Sequence, residues 1–130
     1  MLRPGDEAVV EQLATRVPAH TALLEEPSTI FLVAFEDGTP VGFVLAYELL
    51  RRHGKTVTLC VYEVDVIDAY QRRGIGKALL QELARTARER GVPEGFVLTD
   101  ADNVAAMRLY ASVGGERNDV VEWDFDYTAG

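Results

Sequence analysis

A chain of 130 residues has the length of one domain, and 48% apolar residues are enough to fill one core without staples. Thirteen basic against 21 acidic residues leave a formal charge of −8, a balance that disfavours nucleic acid and anionic membranes and suits a cationic partner. One cysteine excludes an internal disulfide framework and any cysteine-based metal cluster, so no metal is expected.

Met1 to Gln12 has no apolar core of signal-peptide type, and no stretch approaches ~18 uncharged apolar residues. The expectation is a soluble protein, cytoplasmic by default, forming one domain over 1–130. Pro4-Gly5-Asp6 reads as a helix start with Asp6 near the N-cap; Val9, Val10, Leu13 and Val17 form its apolar stripe and Pro18 stops it. Ala19 to Pro27 is a short helix or loop. Ser28 to Phe35 and Val41 to Leu50 are strands joined by the turn residues Asp37-Gly38-Thr39-Pro40, a hairpin. After the polar connection Arg51 to Lys55, Thr56 to Ile67 is β-branched and largely apolar, the strongest strand signal in the chain.

From Gly74 the period changes. Ile75, Leu79, Leu83 and Ala87 lie four apart with charges on the other face, and Gly91 and Pro93 end the helix. Phe96 to Thr99 is a short buried-type strand, and Asn103 to Val113 a helix closed by Gly114-Gly115. Val120 to Tyr127 alternates, with Val121, Trp123, Phe125 and Tyr127 on the face expected to anchor it to the core. Glu122, Asp124 and Asp126 take the other face. This order argues for a mixed α/β layer architecture.

Chemistry concentrates at Gln71-Arg72-Arg73-Gly74-Ile75-Gly76-Lys77, between the strongest strand and the longest helix. Two glycines permit a tight turn and close approach of a ligand. The first amides of the helix lack internal partners and sit at the positive end of its dipole, a ready site for phosphate or diphosphate. A Walker loop would need glycine at Gln71 and Ser or Thr at Ala78, and a dinucleotide fingerprint a small residue at Leu79, so neither applies.

These residues resemble the GNAT superfamily of acetyl-CoA-dependent N-acetyltransferases. QRRGIG matches its Q/R-x-x-G-x-G/A signature after a strand ending in Val64-Asp65-Val66. Asn103, Ala106, Leu109, Tyr110 and Gly114 match its N-x-x-A-x-x-L-Y-x-x-x-G helix. Against the family pattern, the first strand is reduced to a stub at Leu2-Arg3, Asp68 replaces a proline and Gly115 a phenylalanine.

The resemblance implies a central mixed, mostly antiparallel sheet, splayed at the cofactor strand and flanked by helices. It implies acetyl-CoA as donor, with its diphosphate on the amides from Arg72 to Lys77. Gln71 and Asn103 would also contact the cofactor, and Val64 and Val66 would offer backbone hydrogen bonds to its pantetheine arm. Transfer is direct from thioester to amine, which needs a base for the amine and an acid for the leaving thiolate. Tyr110 matches the family's acid. Glu63 is the preferred base and Asp65, on the same face by the period of two, its rival.

Cys60 lies in an apolar strand and reads as a core residue; His20 and His53 lack ligand spacing. Asp100, Asp102, Glu122, Asp124 and Asp126, together with Glu63 and Asp65, are expected around one cleft that suits an ammonium-rich acceptor. Length and the Trp123-Asp124-Phe125-Asp126 ending look like the aminoglycoside 3-N-acetyltransferase group. Three readings stand: an aminoglycoside acetyltransferase, a polyamine or protein-amine acetyltransferase, and a non-catalytic acyl-CoA-binding module. A homodimer through the aromatic C-terminal strand is possible on the same residues.

Overall fold

The computed structural model describes residues 1–13, 24–52 and 57–128. The predicted positions Val17, Pro18, His20 and His53 lie outside them.

Helix α1 (Glu7–Leu13) leads into a hairpin of β1 (Thr29–Glu36) and β2 (Thr39–Leu50). The turn is only Asp37-Gly38, with φ of 49° and 80°, the backbone that a two-residue hairpin requires; Thr39 and Pro40 already belong to β2. Asp6 stands directly before Glu7, at the expected N-cap position, and its carboxylate accepts the Arg3 amide at 2.9 Å, closing the turn behind it. The stub is held by one backbone bond, Leu2 N–H to the Phe31 carbonyl at 2.8 Å.

Strand β3 (Val57–Val66) pairs antiparallel with β2, and β4 (Glu94–Val97) pairs parallel with β3, giving the order β1-β2-β3-β4. Helix α2 (Ile75–Glu89) makes the crossover between them, and α3 (Val104–Ser112) follows β4. Leu79 and Leu83 of α2 pack on Ile30, Leu32, Val44, Ala46 and Leu59. On the opposite face Val10 and Leu24 meet Phe31 and Leu45. Arg90 fixes the end of α2 to the hairpin by pairing with Glu48 and donating to the Pro27 carbonyl at 2.8 Å.

Two irregularities shape the far end of β3. Leu45 pairs with Glu63 but Ala46 with Val61, so Tyr62 is bulged out of β3 and the side-chain parity changes there. Val57, Leu59 and Val61 face α2 before the bulge and Val64 and Val66 after it, leaving Tyr62, Glu63 and Asp65 to the other face. In addition, β4 pairs only with Thr58 to Val61, so beyond Val61 β3 is paired with β2 only and the sheet opens.

Two expectations are corrected. The fourth strand lies two residues earlier than predicted and is mostly exposed, because as the last strand it is flanked by β3 alone. Val120 to Tyr127 is not a strand and anchors nothing: Val121, Trp123, Phe125 and Tyr127 are all exposed. Alternation makes a segment compatible with a strand but does not itself supply the pairing.

Candidate functional site

Where β3 and β4 part, a cleft of about 330 Å³ opens, walled by Tyr62 to Asp65 of β3, Val97 to Thr99 at the end of β4, and Asn103, Ala106 and Tyr110 of α3. It brings together the predicted residues Glu63, Val64, Asp65, Asn103 and Tyr110.

The backbone of β3 explains why this cleft can hold an extended ligand. The Ile67 amide donates to the Val41 carbonyl at 2.9 Å, toward β2. Alternate residues of a strand aim their polar groups at opposite edges, so Val66 and Val64 present theirs to the gap. One of these groups is taken: the Val66 carbonyl accepts from Gln71 Nε2 at 2.9 Å. Gln71 also donates to Asp68 Oδ1 at 3.2 Å, and its own amide donates to the Asp68 carbonyl at 3.3 Å. Its side chain and amide therefore brace the turn.

Those residues are open. Among the described residues, the amides of Arg72 to Lys77 have no protein acceptor, and the first intrahelical bond is Ala78 N–H to the Gly74 carbonyl. The turn takes Arg72 to φ 65° and Gly74 to φ 79°, left-handed values that glycine adopts freely. No acidic residue lies in the first turn of α2, so amides and dipole face outward uncompensated. This cradle fits a diphosphate. The second glycine has another role than ligand approach: a Cβ at Gly76 would stand 3.2 Å from Leu109 Cδ2, so Gly76 lets α3 pack on α2.

The three cations differ. Arg73 is engaged, with Nη1 at 3.3 and 3.4 Å from the Glu36 carboxylate and its guanidinium 5.0 Å over the Tyr70 ring. Arg72 and Lys77 have no acidic partner among the described residues.

On α3, Asn103 caps the helix by accepting the Ala106 amide at 3.1 Å, which leaves its NH₂ for the cleft. Tyr110 is half-buried and burial pushes its hydroxyl above the ordinary tyrosine value. The hydroxyl is thus a proton donor throughout the neutral range. The Tyr110 carbonyl accepts from Gly115 N–H at 3.0 Å, and a Cβ at Gly115 would meet that oxygen at 2.9 Å, so the chain turns tightly after α3.

Sequence reasoning missed two tyrosines. Tyr62 lines the cleft beside Glu63, and Tyr47 of β2 packs edge-on to it at 5.7 Å. Burial first, and then the nearby Glu63 charge, raise Tyr47. Only the bulge puts Tyr62 and Glu63 side by side, and residue spacing does not reveal a bulge. Burial also raises the half-buried Cys60 thiol above its ordinary value, which favours its protonated form.

Among the described residues, only Glu63 and Asp65 of the expected carboxylates line the cleft. Asp100 and Asp102 are exposed in the turn closed by Asn103 N–H to the Asp100 carbonyl at 3.0 Å, and neither lines the cleft. Glu122, Asp124 and Asp126 stay with the unpaired C-terminal segment, where Asp126 accepts from Thr128 N–H at 2.8 Å and from its hydroxyl at 2.6 Å. They miss the cleft because that segment pairs with no strand of the sheet.

Residues 4–114 match the model of the acetyltransferase (GNAT) family. The chain is 40% identical over 97 residues to an N-alpha-acetyltransferase of Mycobacterium tuberculosis, covering 72% of this chain and 56% of that protein. It is 38% identical over 81 residues to an L-2,4-diaminobutyric acid acetyltransferase of Streptomyces coelicolor, covering 62% of this chain and 46% of that one. Such relatives are about twice as long as the matched part. Among solved structures, an aminoglycoside acetyltransferase from an uncultured soil metagenomic sample superposes with a TM-score of 0.76 at 33% identity, covering 82% of this chain and 70% of its own. A second soil-metagenome aminoglycoside acetyltransferase, in complex with sisomicin, gives a TM-score of 0.80 at 26% identity over 92% of this chain and 82% of its own.

Proposed function

This chain belongs to the GNAT acetyltransferase family, and from that premise we propose that it moves an acetyl group from acetyl-CoA directly to an amine of a polycationic small molecule, an aminoglycoside at its 3-N position. The observation that carries this reading is the cleft: it sets a carboxylate, Glu63, and a protonated hydroxyl, Tyr110, on walls that face one gap in the sheet. The amides of Arg72 to Lys77 hold the diphosphate, and the free groups of Val64 and Val66 align the pantetheine arm as an added strand. The amine nitrogen forms its bond to the thioester carbonyl carbon, the carbon–sulfur bond breaks, Glu63 takes the amine proton, and Tyr110 donates a proton to the departing sulfur.

The likeness to soil-metagenome aminoglycoside acetyltransferases supports the acceptor class. A second reading, an amino-acid or protein amine as acceptor, is favoured by the higher identity to the diaminobutyric acid and N-alpha-acetyltransferases. A thiol-release assay with acetyl-CoA decides. Release with kanamycin or gentamicin supports the first reading. Release only with diaminobutyrate, spermidine or peptides replaces it with the second. Coenzyme A binding without release from any amine leaves an acyl-CoA-binding module.

The cofactor turn has its own test. Gly74→Val forces a β-branched residue to φ 79°, at a cost of ~1–2 kcal/mol, or realigns the amides. Calorimetric affinity for coenzyme A is expected to fall by ~5–30-fold. An unchanged affinity would remove the diphosphate from this turn.

A further inference from the structure

The bulge in β3 does something that the two proton transfers do not require. In a regular strand Tyr62 would share the α2 face with Val64 and Val66. The extra residue turns it instead to the face of Glu63, on the wall of the cleft. Bulges beside active sites re-aim a side chain, and the side chain re-aimed here is a large ring.

That ring is both presented and braced. Tyr62 is 65% exposed, an unfavourable place for so much apolar surface unless something binds it. Behind it stands the half-buried Tyr47, whose ring lies 5.7 Å away at 72°, the edge-on arrangement that aromatic pairs prefer. After burial, the Glu63 charge is the next cause that raises the Tyr47 hydroxyl, so Glu63 and the two rings form one patch.

A carboxylate and an aromatic face side by side attract cations by two different means, the charge of one and the quadrupole of the other. The proposed transfer separates their tasks. The nitrogen that attacks the thioester must be neutral, so the one at Glu63 gives up its proton and with it any attraction to a ring face. A ring face is useful to a nitrogen that stays protonated.

We propose that Tyr62 is a specificity-determining residue whose ring seats a second, non-reacting ammonium of the acceptor while Glu63 receives the reacting amine, so that the cleft selects molecules with two neighbouring nitrogens. This rests on the proposed acetyl transfer and names the feature that its acceptor must carry. Kanamycin and 2,4-diaminobutyrate share that feature, each holding two amines on a three-carbon unit, and the test tells these two sources apart.

The test is calorimetric titration of the full chain, with coenzyme A present, by kanamycin, by 2,4-diaminobutyrate and by propylamine, which has one nitrogen. Kanamycin or diaminobutyrate is expected to bind the parent chain at least ~5-fold more tightly than propylamine, the scale of one cation–π contact. For the amine that binds, Tyr62→Leu and Tyr62→Gln are each expected to weaken affinity ~5–30-fold, while Tyr62→Phe stays within ~2-fold and Tyr62→Trp matches or exceeds the parent, an order set by the ring face. Propylamine is expected to shift by less than ~2-fold in all four variants. In thiol release the loss is expected in KM with kcat held, because the seated ammonium is bound equally before and during transfer; a ring that only supported β3 would lower kcat as well. Binding of neither kanamycin nor diaminobutyrate by the parent chain overturns the proposal, and so does a parent affinity no better than that for propylamine. Tyr62→Leu binding like the parent, Tyr62→Phe as weak as Tyr62→Leu, or an equal loss for propylamine each defeats it too. Ring-dependent binding without thiol release from any amine defeats the acetyl transfer and leaves the ammonium seat standing. Release with binding indifferent to Tyr62 does the reverse.

Discussion

Glu63→Gln is expected to lower turnover at neutral pH by ~10²–10⁴-fold, the usual contribution of a positioned general base, with coenzyme A affinity unchanged. The substitution keeps the shape and removes the proton acceptor. Glu63 is exposed on the face opposite α2, next to the bulged Tyr62, at the point where the sheet opens. Asp65 lies two residues further on the same face, so Asp65→Asn is the required comparison. A large loss in the Asp65 variant with none in the Glu63 variant would transfer the role. Small losses in both would leave proton removal to water. The measurement is steady-state thiol release with the amine at saturation, since binding effects then drop out of the rate.

Tyr110→Phe is expected to lower turnover by roughly 10²-fold, because the departing thiolate loses its proton donor. Its pH dependence has a definite sign. Burial raises the Tyr110 hydroxyl above the ordinary tyrosine value, so the donor stays protonated below that value and is lost only as pH rises through the higher folded-state value. Any loss of activity between neutrality and the ordinary tyrosine range therefore belongs to another group and should persist in Tyr110→Phe. Stability follows the same sign. Below the ordinary value the ring is neutral in folded and unfolded chains, and above it the unfolded chain ionises first, so stability falls with rising pH. Tyr110→Phe is expected to flatten that fall, as read by urea unfolding at two alkaline pH values. An identical slope in both proteins would contradict the burial-raised hydroxyl.

The turn that opens α2 was legible because its requirements are local. Left-handed backbone at Gly74, a helix start without acidic residues and a cluster of cations are written within seven consecutive residues. The Asn103–Gly114 segment was legible for a similar reason: its cap, its apolar spacing and its glycine stop act within a few turns. Even there, roles moved. Gly76 makes room for Leu109, and Gln71 braces the turn through Val66 and Asp68. Such contacts depend on what lies across from a residue, which spacing along the chain does not encode.

By itself the sequence determined the hairpin, the long crossover helix and the glycine turn that opens it, since turn chemistry and periodicity are properties of short segments. The tertiary structure alone decided where the strands part, that the bulge at Tyr62 sets it beside Glu63 on one face, that Arg73 is held by Glu36, and that the Val120–Tyr127 alternation stays unpaired and exposed. The reason is physical: strand pairing and parity are agreements between distant segments, and a period of two in one segment leaves its partner, its register and its facing side unspecified.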